Sequence, residues 1–269
     1  MKNALKNLLV PVANPLLSKV HRYKNAYKGQ SCYLIGGGIS IKWFDLKEFS
    51  NKISMPCQFI PFHNDFNELQ VEHLLLPEPW FFYPFYRGGI HGRWLRNYFQ
   101  IEYRKIINEN PDKNFFINLS NYPVVRSPNV TYLFRDFNDS SLLDSFITNR
   151  INPFQGSLST SISMAVYMGF DHVYLVGYDY THVPSRTLHW FEKGQGVFID
   201  HVDYGKDLFS IAKEFINITT ITLDGTSDFI NAVTYKEHTG KDPLYKENTD
   251  IFSDRLLKIF ATWPGYNIY

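Results

Sequence analysis

Pro153-Phe-Gln-Gly-Ser-Leu-Ser-Thr-Ser-Ile-Ser-Met-Ala-Val-Tyr-Met-Gly-Phe-Asp-His-Val-Tyr-Leu-Val-Gly-Tyr-Asp-Tyr180 is the stretch on which the fold turns. A small hydroxyl-rich turn (Gly156, Ser157, Ser159, Thr160, Ser161) opens an apolar helical run that stops at Gly169. A short apolar strand over 173–176 follows at once and ends in Gly177-Tyr178-Asp179-Tyr180. Turn, helix, strand and turn in that order make the repeating unit of an open α/β sheet. Ligands of such sheets sit beside helix N-termini and at the carboxyl ends of strands. Both positions carry polar groups here.

Working outward, Ser31-Cys-Tyr-Leu-Ile35 reads as another apolar strand and runs into Gly36-Gly37-Gly38-Ile39-Ser40, after which 41–53 reads as helical. Glycines let backbone N–H groups approach a phosphate closely. Three in a row are not the Gly-x-Gly-x-x-Gly fingerprint, and no Walker-type Gly-Lys-Ser/Thr occurs. Further strands are expected at 57–62, leading into His63-Asn64-Asp65, and at 80–83, 115–117, 130–134 and 219–223. Helices are expected at 90–108, with Arg93, Arg96, Arg104 and Lys105, and at 205–216. The alternation predicts an α/β fold with a mainly parallel, Rossmann-like sheet and helices on both faces. Residues 181–204 lack periodicity and contain Pro184, Gly194 and Gly196, which marks a lid-like insertion.

Composition narrows the function. The 269 residues suit one domain, taken as 29–269, preceded by a basic segment at 1–28. Net charge is +1 from 27 basic and 26 acidic side chains, so no global field favours nucleic acid. Aromatics reach 17%, which supplies either core mass or stacking surfaces for sugars and bases. The two cysteines, Cys32 and Cys57, lie in separate expected strands without ligand spacing and read as buried thiols of a cytoplasmic protein. No apolar run reaches the roughly 18 residues needed to span a bilayer. Segment 1–28 mixes leucines with lysines; it either lies on an anionic membrane surface or packs on the domain's own side.

Between residues 31 and 235 these segments resemble, in order, the bacterial sialyltransferases of glycosyltransferase family 42, and more broadly Kdo-transferase and flagellin-glycosylation families. Gly36-Gly37-Gly38-Ile39-Ser40 is similar to that family's Gly-Asn-Gly-Pro-Ser turn, which contacts a CMP donor. Gly37 stands for its asparagine and Ile39 for its proline. Asn64 matches a donor-holding asparagine, and Tyr83 takes the asparagine place of a Phe-Phe-Asn-Pro segment. Gly156-Ser157 resembles a Thr-Ser pair at a helix N-terminus that seats the donor's carboxylate. Residues 173–180 resemble Ile-Tyr-Leu-Ser-Gly-Ile-Asp-Phe, which adds Gly177 and Asp179. Thr226 and Ser227 correspond to a Pro-Asn-Ser segment bordering the donor pocket. The family's lid supplies tyrosines to the leaving phosphate and ends in a general-base histidine. Tyr180, His182, His189 and Trp190 stand in the lid here, and His201 stands at its end.

The resemblance implies an inverting, metal-independent transferase with no cofactor. It would move an acidic sugar (sialic acid, Kdo or a related nonulosonate) from a CMP-sugar donor to a glycan or glycolipid of the bacterial surface, such as lipopolysaccharide or capsule. The expected catalytic groups are His201, Tyr180 and His189. A histidine titrates near neutrality and suits deprotonation of an acceptor hydroxyl; at 201 it could instead cap a helix. Tyr180 and His189 would neutralise the departing phosphate. Ser157 is either a plain cap or the carboxylate seat. The arginines of 90–108 face either an anionic acceptor or solvent. No metal is expected, because Asp179 lacks the second aspartate of an Asp-x-Asp pair and the nine histidines form no ligand set. Peripheral contact with the cytoplasmic membrane and self-association stay open. Two other classes fit the same scaffold: an ATP- and magnesium-dependent pterin pyrophosphokinase-like enzyme, and a non-catalytic nucleotide- or glycan-binding protein.

Overall fold

The computed structural model of the chain describes residues 13–87, 94–134, 156–181, 183–200 and 206–269. Five short strands form a fully parallel sheet: β1 (Ser31–Ile35), β2 (Ile53–Pro56), β8 (His172–Val176), β11 (Asn217–Thr222) and β12 (Asn231–Thr234), in the order β12-β11-β8-β1-β2. Three more, β3 (His73–Leu76), β6 (Asn114–Asn118) and β7 (Val130–Leu133), form a second parallel sheet. Single parallel bridges, Ser54 with Val71 and Cys57 with Leu75, join β2 to β3, so the two sheets continue edge to edge.

Period-2 alternation shows both faces buried. Tyr33, Ile35 and Val176 belong to one apolar cluster, whereas Cys32, Leu34, Val173 and Leu175 belong to the other. Helix α1 (Phe99–Glu109) buries Phe99, Tyr103 and Ile107 in the first cluster; α2 (Ser157–Met168) buries Ile162, Met164 and Ala165 in the second. Strands covered on both sides carry no polar alternation. The α/β expectation therefore holds.

Helix α2 ends as its sequence indicates. Gly169 takes φ 81° and donates its N–H to Ala165 and Val166, while Phe170 N–H reaches Ala165 O at 3.1 Å. Only a residue without Cβ adopts that left-handed turn cheaply.

Several expected elements move. The second strand is Ile53–Pro56, and 57–62 forms turns ending in a 3-10 turn, Ile60–Phe62. The third strand is His73–Leu76, with 80–83 in a turn. Residues 39–49 form two 3-10 turns instead of the helix read at 41–53. Helix α1 begins only at Phe99, after a hairpin of β4 (Phe85–Arg87) and β5 (Trp94–Arg96). For the two strands a short apolar run was available to either a buried strand or a buried turn, and periodicity cannot separate the two.

Residues 13–28 pack on the domain. Leu17, Val20 and Tyr23 are buried, and the N–H groups of Asn25 and Tyr27 donate to the carbonyls of Tyr167 and Met168 at the end of α2. Among the described residues no helix is long and apolar enough to cross a membrane.

Candidate functional site

The chain runs outward from β1 through β2, β3, β6 and β7. It then returns to lay β8 on the other side of β1 and runs outward again to β11 and β12. Strand order reverses between β1 and β8. In an open α/β sheet that reversal opens a crevice at the carboxyl ends, because the two flanking connections leave in opposite directions.

The loops beyond β1 and β8 meet there at van der Waals distance. Gly36 N–H donates to Val176 O at 2.8 Å and Gly38 N–H to Gly177 O at 2.8 Å. A Cβ on Gly36 would lie 2.7 Å from Gly177 O; one on Gly38 would lie 2.4 Å from Asp179 Oδ2. Asp179 accepts the N–H of Ser40 at 2.9 Å. Gly36, Gly38, Gly177, Ser40 and Asp179 thus weld two loops together. The Ser40 hydroxyl is buried and has no hydrogen-bond partner among the described residues. Gly37 is different: a Cβ there would meet Gln58 Oε1, the end of a flexible side chain, at a tight 3.3 Å and His189 Cδ2 at an ordinary 3.7 Å.

His189 forms a β-bridge with Gly38, and Trp190 N–H donates to Gly37 O at 3.3 Å. The turn at 189–192 closes through Glu192 N–H to His189 O at 2.9 Å. Glu192 Oε1 in turn accepts both His189 N–H and His189 Nδ1, each at 2.9 Å. The Glu192 side chain is 3% exposed, whereas that of His189 is 39% exposed. Burial alone would raise the Glu192 pKa, yet hydrogen bonds from His189 and from the N–H of Asn267 hold it below the usual range. An ionised carboxylate on Nδ1 leaves Nε2 as the free ring atom.

Helix α2 starts on the same edge. Gly156 supplies no side-chain cap, so the first-turn N–H groups keep their positive end for another acceptor. The Ser157 hydroxyl bonds to the Cys57 thiol, which contacts Tyr178 Oη at 3.4 Å, and Tyr178 Oη meets Ser161 Oγ at 3.2 Å. Burial pushes the Cys57 thiol up to about 11, so it stays protonated. Gln58 follows directly, at φ 50°.

Three of the four described non-glycine residues with positive φ stand on this edge: Gln58, Trp80 and Leu188, the residue before His189. Such backbone costs on the order of 1–3 kcal/mol each and clusters where function constrains the chain.

No protein-family profile matches the chain, and no curated protein matches it in sequence. Among solved structures, the sialyltransferase CstII from Campylobacter jejuni with cytidine-5'-monophosphate overlaps 87% of this chain and 98% of its own, at 15% identity and a TM-score of 0.47. An α-2,3-sialyltransferase from Campylobacter jejuni in apo form overlaps 89% of this chain and 99% of its own, at 14% identity and a TM-score of 0.45. Overlaps this weak assign no residue a role.

The other expected site residues fall in five places. Gly156 is exposed and Ser157 half-buried at the start of α2. Tyr180, 37% exposed, follows Asp179 in a single 3-10 turn. The Ser227 hydroxyl donates to Thr181 O and accepts from Phe229 N–H and Ile230 N–H, so it staples two loops, while Thr226 is exposed beside it. Asn64 bonds instead to the C-terminal segment, its Nδ2 reaching Asp250 O at 3.3 Å and its N–H reaching Ile251 O at 3.0 Å. Tyr83 Oη donates to Ser120 O at 3.4 Å, beyond β6. None of these contacts brings Asn64 or Tyr83 to Gly37. His201, His182, Arg93 and residues 1–12 lie outside the described residues.

The expected lid at 181–204 is anchored at its centre: Trp190 and Phe191 are fully buried, and β9 (Ser185–Arg186) pairs with β10 (Phe198–Ile199). Arg104 bonds to Gln100 Oε1 and Phe82 O, and Arg96 lies over Tyr98. An open hollow of about 620 Å³ beside Arg104, Pro84 and Ile101 lies on the α1 surface, away from the polar crevice. The crevice is favoured as the site because its polar groups converge there.

Sequence reading missed Gln58 and Glu192. The His189-x-x-Glu192 spacing was visible, but it gains meaning only once the turn closes.

Proposed function

We propose that the chain is an inverting glycosyltransferase that binds a CMP-activated acidic sugar in the crevice between β1 and β8. The carrying observation is convergence: the Gly37 turn, the uncapped start of α2 and the His189 imidazole meet through Gln58 and Cys57 on one sheet edge. The ordered sequence resemblance over 31–235 supplies the donor class.

In this reading the tight β1/β8 weld presents the peptide at Gly37 to the nucleotide, and Gln58 offers its amide. The donor's carboxylate sits on the first-turn N–H groups of α2. The anomeric carbon already carries a phosphate leaving group, so the barrier lies in charge separation. As an imidazolium, with its Nδ1–H held by Glu192, His189 donates from Nε2 to the departing phosphate, with Tyr180 as a second donor, which stabilises charge where it develops. His201 takes the proton of the acceptor hydroxyl. A phosphokinase would instead require clustered carboxylates for magnesium, and among the described residues no group of three or more such ligands occurs.

Thermal-shift titration with CMP, CDP, UDP, GDP and ATP tests the donor class. Stabilisation by CMP or CDP over the others, together with transfer from a CMP-nonulosonate, is expected. A magnesium-dependent ATP response would sink the reading. CMP binding with neither hydrolysis nor transfer would reduce it to a binding protein.

A further inference from the structure

We infer that Glu192 is a positioning residue for His189 and is itself held by the C-terminal residues 266–268, which makes that segment part of the site. Asn267 N–H donates to Glu192 Oε2 at 2.9 Å, and Lys193 N–H returns a bond to Asn267 O at 2.6 Å. The neighbouring Ile268 carbonyl accepts Asn248 Nδ2 at 3.1 Å, and the same amide reaches Phe191 O at 2.9 Å. The Tyr266 ring packs against the imidazole at 78° with centroids 5.6 Å apart, and Phe191 stacks on it at 5.0 Å and 14° while also touching Tyr266 at 4.9 Å. The imidazole is therefore fixed by two rings, one carboxylate and its own backbone.

A turn of this kind could be closed by a neutral amide. Burying a carboxylate is costly unless it is paired and hydrogen-bonded, and Glu192 is held by His189 and by Asn267 N–H. Here each Glu192 oxygen takes a different job: Oε1 selects the tautomer of His189, and Oε2 is oriented by a backbone N–H that no side-chain substitution at 267, other than proline, removes. A carboxylate so held keeps the proton on Nδ1 and directs Nε2 outward, as outer-shell acceptors do for functional histidines. The functional part of this inference rests on the transferase reading; the tautomer itself does not.

The test is ¹⁵N NMR of histidine-labelled full-length protein, with the His189 signals assigned by their loss in H189N, alongside turnover of a CMP-sugar. Wild type should show a protonated Nδ1 and an unprotonated Nε2 at high pH. E192Q should lose that signature, and its kcat should fall at least tenfold with CMP affinity little changed. N267P, which deletes the N–H, should shift the tautomer in the same direction, whereas N267A should not. Retention of the Nδ1–H signature in E192Q would overturn the inference, as would an unaltered kcat in E192Q that folds normally. If E192Q does not fold, the N267P and N267A pair decides by the same signals. Should wild type neither bind CMP nor turn over a CMP-sugar, the transferase reading fails while the NMR result still judges Glu192.

Discussion

Two loop junctions on the carboxyl edge of this sheet solve the same problem by different means. Between β1 and β8, glycines bring main chain against main chain, with Gly36 and Gly38 allowing no Cβ at all. Between β3 and β6, side-chain amides do the joining. Asn121 Oδ1 accepts Phe82 N–H at 2.9 Å, its Nδ2 reaches Glu78 O at 3.1 Å, and Asn118 Nδ2 reaches Pro77 O at 3.3 Å. The glycine junction is closed by backbone bonds and by the Asp179 carboxylate, and leaves Gly37, Gln58 and His189 part-exposed. The asparagine junction uses its polar side chains to hold itself together. A binding edge belongs where polar side chains stay part-exposed and keep spare bonding capacity, as Gln58 Oε1 and His189 Nε2 do at the first.

The contrast makes G38A the most damaging change. Its Cβ would meet both Asp179 and the Gly177 carbonyl, and backbone cannot retreat as a flexible side chain can. A loss of about 3 kcal/mol is expected in chemical denaturation; a loss under about 1 kcal/mol would show that the two loops are not welded. On the other junction, N121A strands the buried Phe82 N–H and should cost about 2 kcal/mol. Equal CMP affinity before and after N121A is expected, and a large affinity loss would move the site toward β6.

Glu247 adds a pH axis, because it holds the turn that carries His189. Its carboxylate accepts Gly194 N–H at 3.1 Å and pairs with the fully buried Lys42, whose ammonium also donates to Gly194 O at 2.7 Å. Burial would raise the Glu247 pKa, but these bonds and those from Asn248 N–H and Tyr245 bring it from 4.5 to about 2. A depressed carboxylate stabilises the fold fully above its unfolded value and loses that contribution as pH falls through the folded one. Calorimetry should show E247Q less stable by about 1–2 kcal/mol near pH 6, the gap closing toward pH 2. A gap independent of pH would mean that Glu247 acts by packing alone.

The smallest effects fall at the outward-facing positions. G37A should change stability by less than about 1 kcal/mol, since its new methyl finds only the tips of Gln58 and His189, yet weaken CMP measurably. Q58G should gain up to about 1 kcal/mol by relieving φ 50°, again at the expense of nucleotide binding. If both variants bound CMP as wild type does, the crevice would lose its claim.

Residues 156–180 and 31–40 carried enough local information for their elements to be read correctly. A helix ending at Gly169, a strand ending at Gly177 and a glycine turn after Ile35 all depend on neighbours in sequence. Strand 53–56 and strand 73–76 were misplaced because both are short apolar runs, and the adjacent runs at 57–62 and 80–83 are equally apolar. Which of two such runs enters the sheet depends on which one finds a partner strand, and that is not a local property.

The site divides in the same way. Sequence alone determined that glycine turns and a hydroxyl-bearing helix start follow strands or precede helices, because φ freedom and helix-end polarity are properties of residue type. Only the tertiary structure decided that Gly36 and Gly38 pack against Gly177 and Asp179, that Gln58 stands beside Gly37, and that Glu192 holds His189 with help from Asn267. The reason is that hydrogen bonds between segments some 75 or 140 positions apart leave no periodicity for a sequence to display.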